Sequence, residues 1–341
     1  MWAYILRRTL LMIPTIFGVL LLTFALFNLV AKDPARVVAG RNATPEVIEA
    51  TRAKMGLNKP AFFNPAATTR PVAITSGPLA GTTRDKSTLE RVGAFFDSRF
   101  FDLARFKFPN SIRSDRPVME IIREKAPVSL AIQVPAFLIS LGAQLAIALF
   151  VASRRGSGID VSVTLLCVAS LAVPSLSLYI AFQWLLGAKL QLFPVAGWET
   201  GIYAIQYAAL PIVCAVFLSL GAGVRFYRTV VLEEVSADYI RTARAKGVSE
   251  VDTMLVHVLR NVMIPVVTNT VTALPFLMFG AIISERLFQI PGLGGLLVEA
   301  VFNQDHGVVM AVTYITAVFY CLALLLSDIC YTLADPRVSL R

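Results

Sequence analysis

The stretch DYIRTARAKGVSEVDTMLVHVLRNVMIP, Asp238–Pro265, is 28 residues of mostly polar chain set between two long apolar runs. A polar stretch so placed reads as a grip for a soluble partner, provided the runs on either side cross a membrane. Composition says that they do. Of the 341 residues, 56% are hydrophobic and only 16% charged, a balance far from that of a soluble globular chain.

A bilayer core about 30 Å thick needs roughly 20 consecutive apolar residues in a helix. Six runs qualify: Thr9–Ala31, Val128–Ala152, Val161–Leu186, Tyr203–Gly223, Val262–Ile283 and Val308–Leu333. The first follows Arg7 and Arg8 as a secretory signal would, but it is longer than such a signal's apolar core and shows no clear cleavage site. The expected fold is therefore an all-α integral membrane protein with six transmembrane helices. It divides into residues 1–31 (N-terminus and helix 1), 32–127 (a large external segment) and 128–341 (helices 2–6, with a polar loop at 224–261).

Orientation follows from lysine and arginine in the short loops. Arg7, Arg8, Arg154, Arg155, Arg225, Arg228, Arg241, Arg244, Lys246, Arg260, Arg337 and Arg341 fall on one side, against only Lys189 and Arg286 on the other. Both termini and the 224–261 loop are thus expected in the cytoplasm. Most of the formal charge of +9 then lies outside, because residues 32–127 carry seventeen basic and ten acidic side chains. That surplus reads first as a solvated basic surface and second as attraction for an acidic protein partner, with nucleic acid excluded by its external position.

The polar stretch itself predicts a helix, a tight turn and a second helix. Glu233–Lys246 holds good helix formers and no proline, and Gly247 supplies the left-handed residue that ends a helix. Ser249 can cap the next helix, with Asp252 three residues on favouring its N-terminus. Val251, Met254, Leu255, Val258, Leu259 and Val262 then recur at helical spacing, predicting one apolar stripe that runs into span 5. By physics alone, such a segment could also be an interfacial helix resting its basic face on anionic membrane lipid.

Arg241-Thr242-Ala243-Arg244-Ala245-Lys246-Gly247, followed by His257-Val258-Leu259-Arg260-Asn261 and Pro265, resembles the EAA loop of type I ATP-binding-cassette importer permeases, in the dipeptide, oligopeptide and nickel branch. The general form of that loop has Glu-Ala-Ala where this chain has Arg241, Thr242 and Ala243, and Leu-Pro where it has Leu259-Arg260. Further likenesses run along the chain: Met1–Pro34 with its paired arginines and Asp33-Pro34; Ala43-Thr44-Pro45-Glu46 through Met55–Pro60; Arg116–Pro127; ERLFQIPGLG at Glu285–Gly294; and Asp335-Pro336-Arg337. Residues 61–102 depart from the resemblance, being longer and richer in Thr, Pro and Gly.

The resemblance implies a permease subunit forming half of a translocation pore in a bacterial cytoplasmic (inner) membrane. The implied partners are a second homologous permease, preferred over a homodimer, two cytoplasmic ATPase subunits and an extracytoplasmic substrate-binding protein. It makes the 224–261 loop a coupling helix between helices 4 and 5, with Gly247 and Ser249 forming the turn. Ala243 and Ala245 would allow close approach, Arg241, Arg244 and Lys246 would meet acidic groups on the ATPase, and Thr242, His257 and Leu259 would complete the loop. Cargo is expected to be peptides, with nickel chelates, sugars or modified peptides as alternatives. Pore residues are expected from spans 2–5, including Pro174, Ser175 and Ser177, which also suit a kink or close helix packing.

Other classes find little support in the residues. No GxxxxGK[ST] phosphate loop occurs, so ATP would be bound and hydrolysed on partner subunits, and the chain itself is read as no enzyme. An ion-coupled secondary transporter, the main alternative, calls for an ionisable group deep in the membrane. Spans 1–5 offer none, and Asp328 in span 6 lies near the cytoplasmic end. The four cysteines, Cys167, Cys214, Cys321 and Cys330, fall in or beside apolar spans, which argues against a disulfide scaffold. With only His257 and His306, no metal or cofactor site is expected. Asn42-Ala43-Thr44 matches a glycosylation pattern without meaning in a bacterial setting.

Overall fold

A computed structural model describes residues 2–27, 34–40, 43–54, 57–65, 72–73, 83–84, 88–278 and 282–334. Outside them lie Asn42, Met55-Gly56, most of the 66–87 stretch and the Asp335-Pro336-Arg337 signature; the side chains of Asp328 and Cys330 are likewise not described. In chain order the helices are α1 (Trp2–Ala25), α2 (Pro34–Ala39), α3 (Pro45–Lys54), α4 (Thr88–Phe95), α5 (Arg99–Ala104), α6 (Val118–Ser153), α7 (Gly158–Ala172) and α8 (Ser175–Phe182). They continue with α9 (Ala204–Val235), α10 (Asp238–Ala245), α11 (Glu250–Asp252), α12 (Leu259–Met278), α13 (Ile282–Leu287), α14 (Leu293–Phe302) and α15 (His306–Ala334). The chain is mostly helical. The all-α expectation needs one small correction: Val72–Ala73 and Thr83–Arg84 pair as a two-residue antiparallel ladder, with Val72 opposite Arg84.

Four helical stretches are long and apolar enough to cross a bilayer: Val118–Ser153, Gly201–Val235, Glu250–Leu274 and His306–Leu326. The third expected span is not one straight helix. It is α7 followed by Ser175–Lys189, bent by 101°. The cause is local: a residue before proline is disfavoured in the α region, and Val173 is extended at φ −87°, ψ 128° just ahead of Pro174. Pro174 then opens α8, its carbonyl accepting from the Ser177 and Leu178 amides. In α1 the apolar helical stretch is Thr9–Ala25, and the end of the expected Thr9–Ala31 span lies outside the described residues.

The chain divides into two compact units, residues 1–10, 124–296 and 319–341 in one and residues 11–123 and 297–318 in the other. In the second unit, aromatic and aliphatic side chains from three places make one core: Leu20 and Phe24 of α1, Phe100 and Leu103 of α5, and Tyr314 of α15. Phe24 meets Phe100 edge-on at 5.5 Å between ring centroids, the favourable geometry for two ring quadrupoles. Lys59 bridges Asp97 at 2.8 Å and Asp102 at 2.7 Å. Partial burial works against its ammonium, but the hydrogen bonds to Asp102 and Asp97 outweigh it and raise its pKa. In the first unit, α9 packs against α7 and α12. Large apolar side chains such as Leu166 (69% exposed) and Leu165 face outward, as lipid-facing residues do.

Candidate functional site

Asp238–Ala245 forms a separate short helix because the chain breaks at Ser236 and Ala237, where the Ser236 amide donates to the Glu233 carbonyl and the Ala237 amide to that of Glu234. The break is closer than expected: Glu233–Lys246 is the end of α9 plus α10, not one helix. α10 ends at a turn in which Gly247 has φ +80°, with the Gly247 amide 3.0 Å from the Arg244 carbonyl and that of Val248 3.3 Å from Ala243's. Ser249 caps α11. Its Oγ accepts from the Asp252 amide at 3.1 Å and donates to the Asp252 carboxylate at 2.6 Å.

The second helix departs from the predicted stripe. After Glu250–Asp252 the chain widens into a π-helical turn at Thr253–Val258 before resuming as α12. The buried positions become Met254, Val258, Val262 and Val266, at a steady spacing of four, while Val251 and Leu255 are exposed at 66% and 53%. Inserting wider turns rotates the helix and retires part of the stripe that regular α geometry would have buried.

These four residues join Tyr227 and Val231 of α9, Ala148, Leu149 and Ala152 of α6, and Ile240 of α10 in one apolar cluster. Of the expected loop residues, Ala243 is buried beside Ile240, whereas Arg241, Thr242, Arg244, Ala245, Lys246, Gly247 and Ser249 are exposed, and His257 and Leu259 are half-buried. α10 thus presses one face on the transmembrane core and turns its basic face outward. Arg244 forks onto Glu250 at 3.1 and 2.7 Å, and Arg241 lies 3.4 Å from Asp238. Lys246 makes no ion pair among the described residues.

Three features here escaped the sequence reading. The Tyr239 hydroxyl donates to Glu234 at 2.5 Å and accepts from the Asn261 amide at 2.7 Å, tying α9, α10 and α12 at one point. Burial, then the hydrogen bond to Glu234, raises the Tyr239 pKa, so it stays a donor. Arg228 of α9 forks onto the buried Asp160 at 2.7 and 2.8 Å, and the Gly156 amide donates to the same carboxylate at 3.0 Å. The third is Glu285, 2% exposed. Its carboxylate accepts from Ser129 Oγ at 2.7 Å and from the Gly295 amide at 2.9 Å, while Ser129 Oγ accepts from the Leu293 amide at 2.8 Å. A carboxylate is well placed at the N-terminus of α14, where orphan amides carry partial positive charge.

α6, α9 and α12 also line an open cavity of about 470 Å³, with Gln133, Ser140, Gln144, Ser219, Tyr227 and Asn269 among its lining residues. Pro174, Ser175 and Ser177 are exposed and do not line it. Among the described residues, no group of His, Cys, Asp and Glu is arranged to hold a metal ion.

The site is thus a short helix whose Ile240 packs into the core of a polytopic helical protein and whose basic side chains face outward. Comparison with known proteins gives the family. Residues 144–340 match the model of the binding-protein-dependent transport system inner membrane component, and residues 1–68 that of its N-terminal part. A Brucella suis protein described as a peptide transport system permease is 32% identical, covering 99% of each chain. The oligopeptide transport system permease protein AppB of Bacillus subtilis and the dipeptide transport system permease protein DppB of Lactococcus lactis are each 30% identical, again over 99% of both chains. The chain belongs to the binding-protein-dependent transport system inner membrane component family. It is a membrane permease subunit of an ATP-binding-cassette system, working with a substrate-binding protein and an ATPase.

Proposed function

We propose that this chain forms half of the pore of a peptide importer, crossing the cytoplasmic membrane six times with both termini and residues 224–261 in the cytoplasm. A sister permease supplies the other half, two cytoplasmic ATPase subunits supply the work, and an external binding protein delivers the cargo. Peptide cargo is supported by relatives whose names specify peptides, dipeptides and oligopeptides. α10 is the lever. Arg241, Arg244 and Lys246 meet acidic groups on the ATPase, Gly247 and Ser249 hold the turn, and closure of the ATPase dimer on ATP displaces the helix.

The observation that carries this reading is the division of α10 into two faces. Ile240, at 0% exposure, packs into the transmembrane core and Ala243 is buried at 8%, while Arg241 and Arg244 of the helix and Lys246 just after it are exposed. A push on the outer face is therefore delivered to α6, α9 and α12 through packed side chains, which shift as bodies rather than deform. The test is to tag the chain, solubilise native membranes in mild detergent and identify what co-purifies. ATPase subunits and a second permease are expected; elution of this chain alone, with ATP-independent uptake after reconstitution, overturns the reading.

A further inference from the structure

We infer that the open cavity lined by α6, α9 and α12 is a cargo-contacting surface that recognises solutes through their amide groups and does not read their charge. The inference rests on the permease reading and adds to it the chemistry of recognition. Gln133, Ser140 and Gln144 lie at i, i+7 and i+11 along α6, one face of a helix that elsewhere exposes Leu138 and Ile139. Hydroxyls in transmembrane helices normally bond back to their own turn. Thr316 does so to the Val312 carbonyl at 2.7 Å, and Ser219 to that of Val216 at 2.7 Å.

Gln133 and Ser140 do not: neither side chain has a hydrogen-bond partner among the described residues. An unpaired amide or hydroxyl is strongly disfavoured in hydrocarbon, so they face water or a polar solute. The rest of the lining is already oriented. Gln144 donates through Nε2 to the Ser219 carbonyl at 3.1 Å and hydroxyl at 3.0 Å, which leaves its own carbonyl oxygen as an acceptor. Its amide lies against Gly223, where any added Cβ would overlap it. On the opposite wall, Asn269 Nδ2 donates to the Tyr227 hydroxyl at 2.9 Å. Amide and hydroxyl groups both donate and accept, as a peptide backbone requires. No lining residue carries a formal charge, and about 470 Å³ is within the range of ligand sites.

The test uses the complete transporter, purified from its native membrane and reconstituted in vesicles. ATP-driven uptake of trialanine, Ala-Lys-Ala and Ala-Asp-Ala is compared at saturating peptide, where capture by the binding protein no longer limits the rate. Wild type is expected to move all three at comparable rates. Gln133→Lys should slow Ala-Lys-Ala at least about tenfold relative to Ala-Asp-Ala, and Gln133→Glu should reverse the bias, since unit charges a few ångströms apart in a site of low effective dielectric interact by more than a tenfold rate ratio represents. If one variant fails to assemble, the bias of the other decides. Uptake by both variants that ignores peptide charge overturns the inference while leaving the permease reading intact, as does loss of the sister subunit in both, which would make this face a subunit interface. A wild-type transporter that moves none of the three with ATP overturns the peptide reading underneath.

Discussion

Two turns in this molecule, 246–249 and 285–295, solve the same problem of joining one helix to the next and are built from opposite materials. The first is exposed and held by local parts: Gly247 at φ +80°, the Ser249 cap, and an Arg244–Glu250 pair six residues apart. The second is largely buried and, besides its local backbone bonds, is held by the Glu285 carboxylate, whose hydroxyl partner, Ser129, lies 156 residues away in sequence. An exposed turn can be pushed by a partner and still refold locally. A buried turn that satisfies amides through one side chain fixes whatever it joins. If the first turn moves with the ATPase, as proposed, and the second only anchors, substitutions should separate transport from stability accordingly.

The largest stability effect is expected at Glu285→Ala, which leaves the Ser129 hydroxyl and the Gly295 amide without their acceptor. At about 1–3 kcal/mol for each stranded group, the purified subunit should lose most of its thermal stability or fail to accumulate. Gly292→Ala comes next. A Cβ there would overlap the Glu285 carboxyl group, at a cost of about 1–3 kcal/mol, read as a lowered melting temperature in detergent. Gly247→Val should cost only about 1–2 kcal/mol in local strain, because open space surrounds the position. It should nonetheless abolish the link between ATP hydrolysis and uptake, so normal uptake by this variant would remove the turn from the mechanism. Ser249→Ala should cost about 1 kcal/mol through loss of the cap, seen as faster amide exchange at residues 250–253. Smallest is Arg244→Ala: its exposed pair with Glu250 is worth at most about 1 kcal/mol, so stability should barely move while ATPase affinity falls.

The same contrast explains what the sequence disclosed. Gly247, Ser249 and Asp252 were legible because each acts on a neighbour within a few residues, where spacing is information. The apolar runs were legible because a bilayer imposes one length. The π-helical turn at Thr253–Val258 was not: it exchanges the predicted burial of Val251 and Leu255 for a deeper seat for Met254 and Val258 in a core made largely by α6 and α9. Glu285 read as one charge in an external loop, since nothing near it in sequence announces Ser129 as a partner. Pro174 signalled a break in the third span, but no residue type encodes a bend of 101° rather than a gentle kink. Nothing in the sequence singled out Gln133, Ser140 and Gln144, which come to line one cavity only when α9 and α12 pack beside α6.

The most direct test of the proposed lever role of α10 places a single cysteine at the exposed residue that follows it, by Lys246→Cys, and applies a short bifunctional cross-linker to native membranes with and without ATP. The predicted result is a cross-linked product with the ATPase subunit whose yield changes when ATP is added. A residue at this position that reacts only with reagents supplied from outside the cell, and never joins an ATPase, would contradict that role.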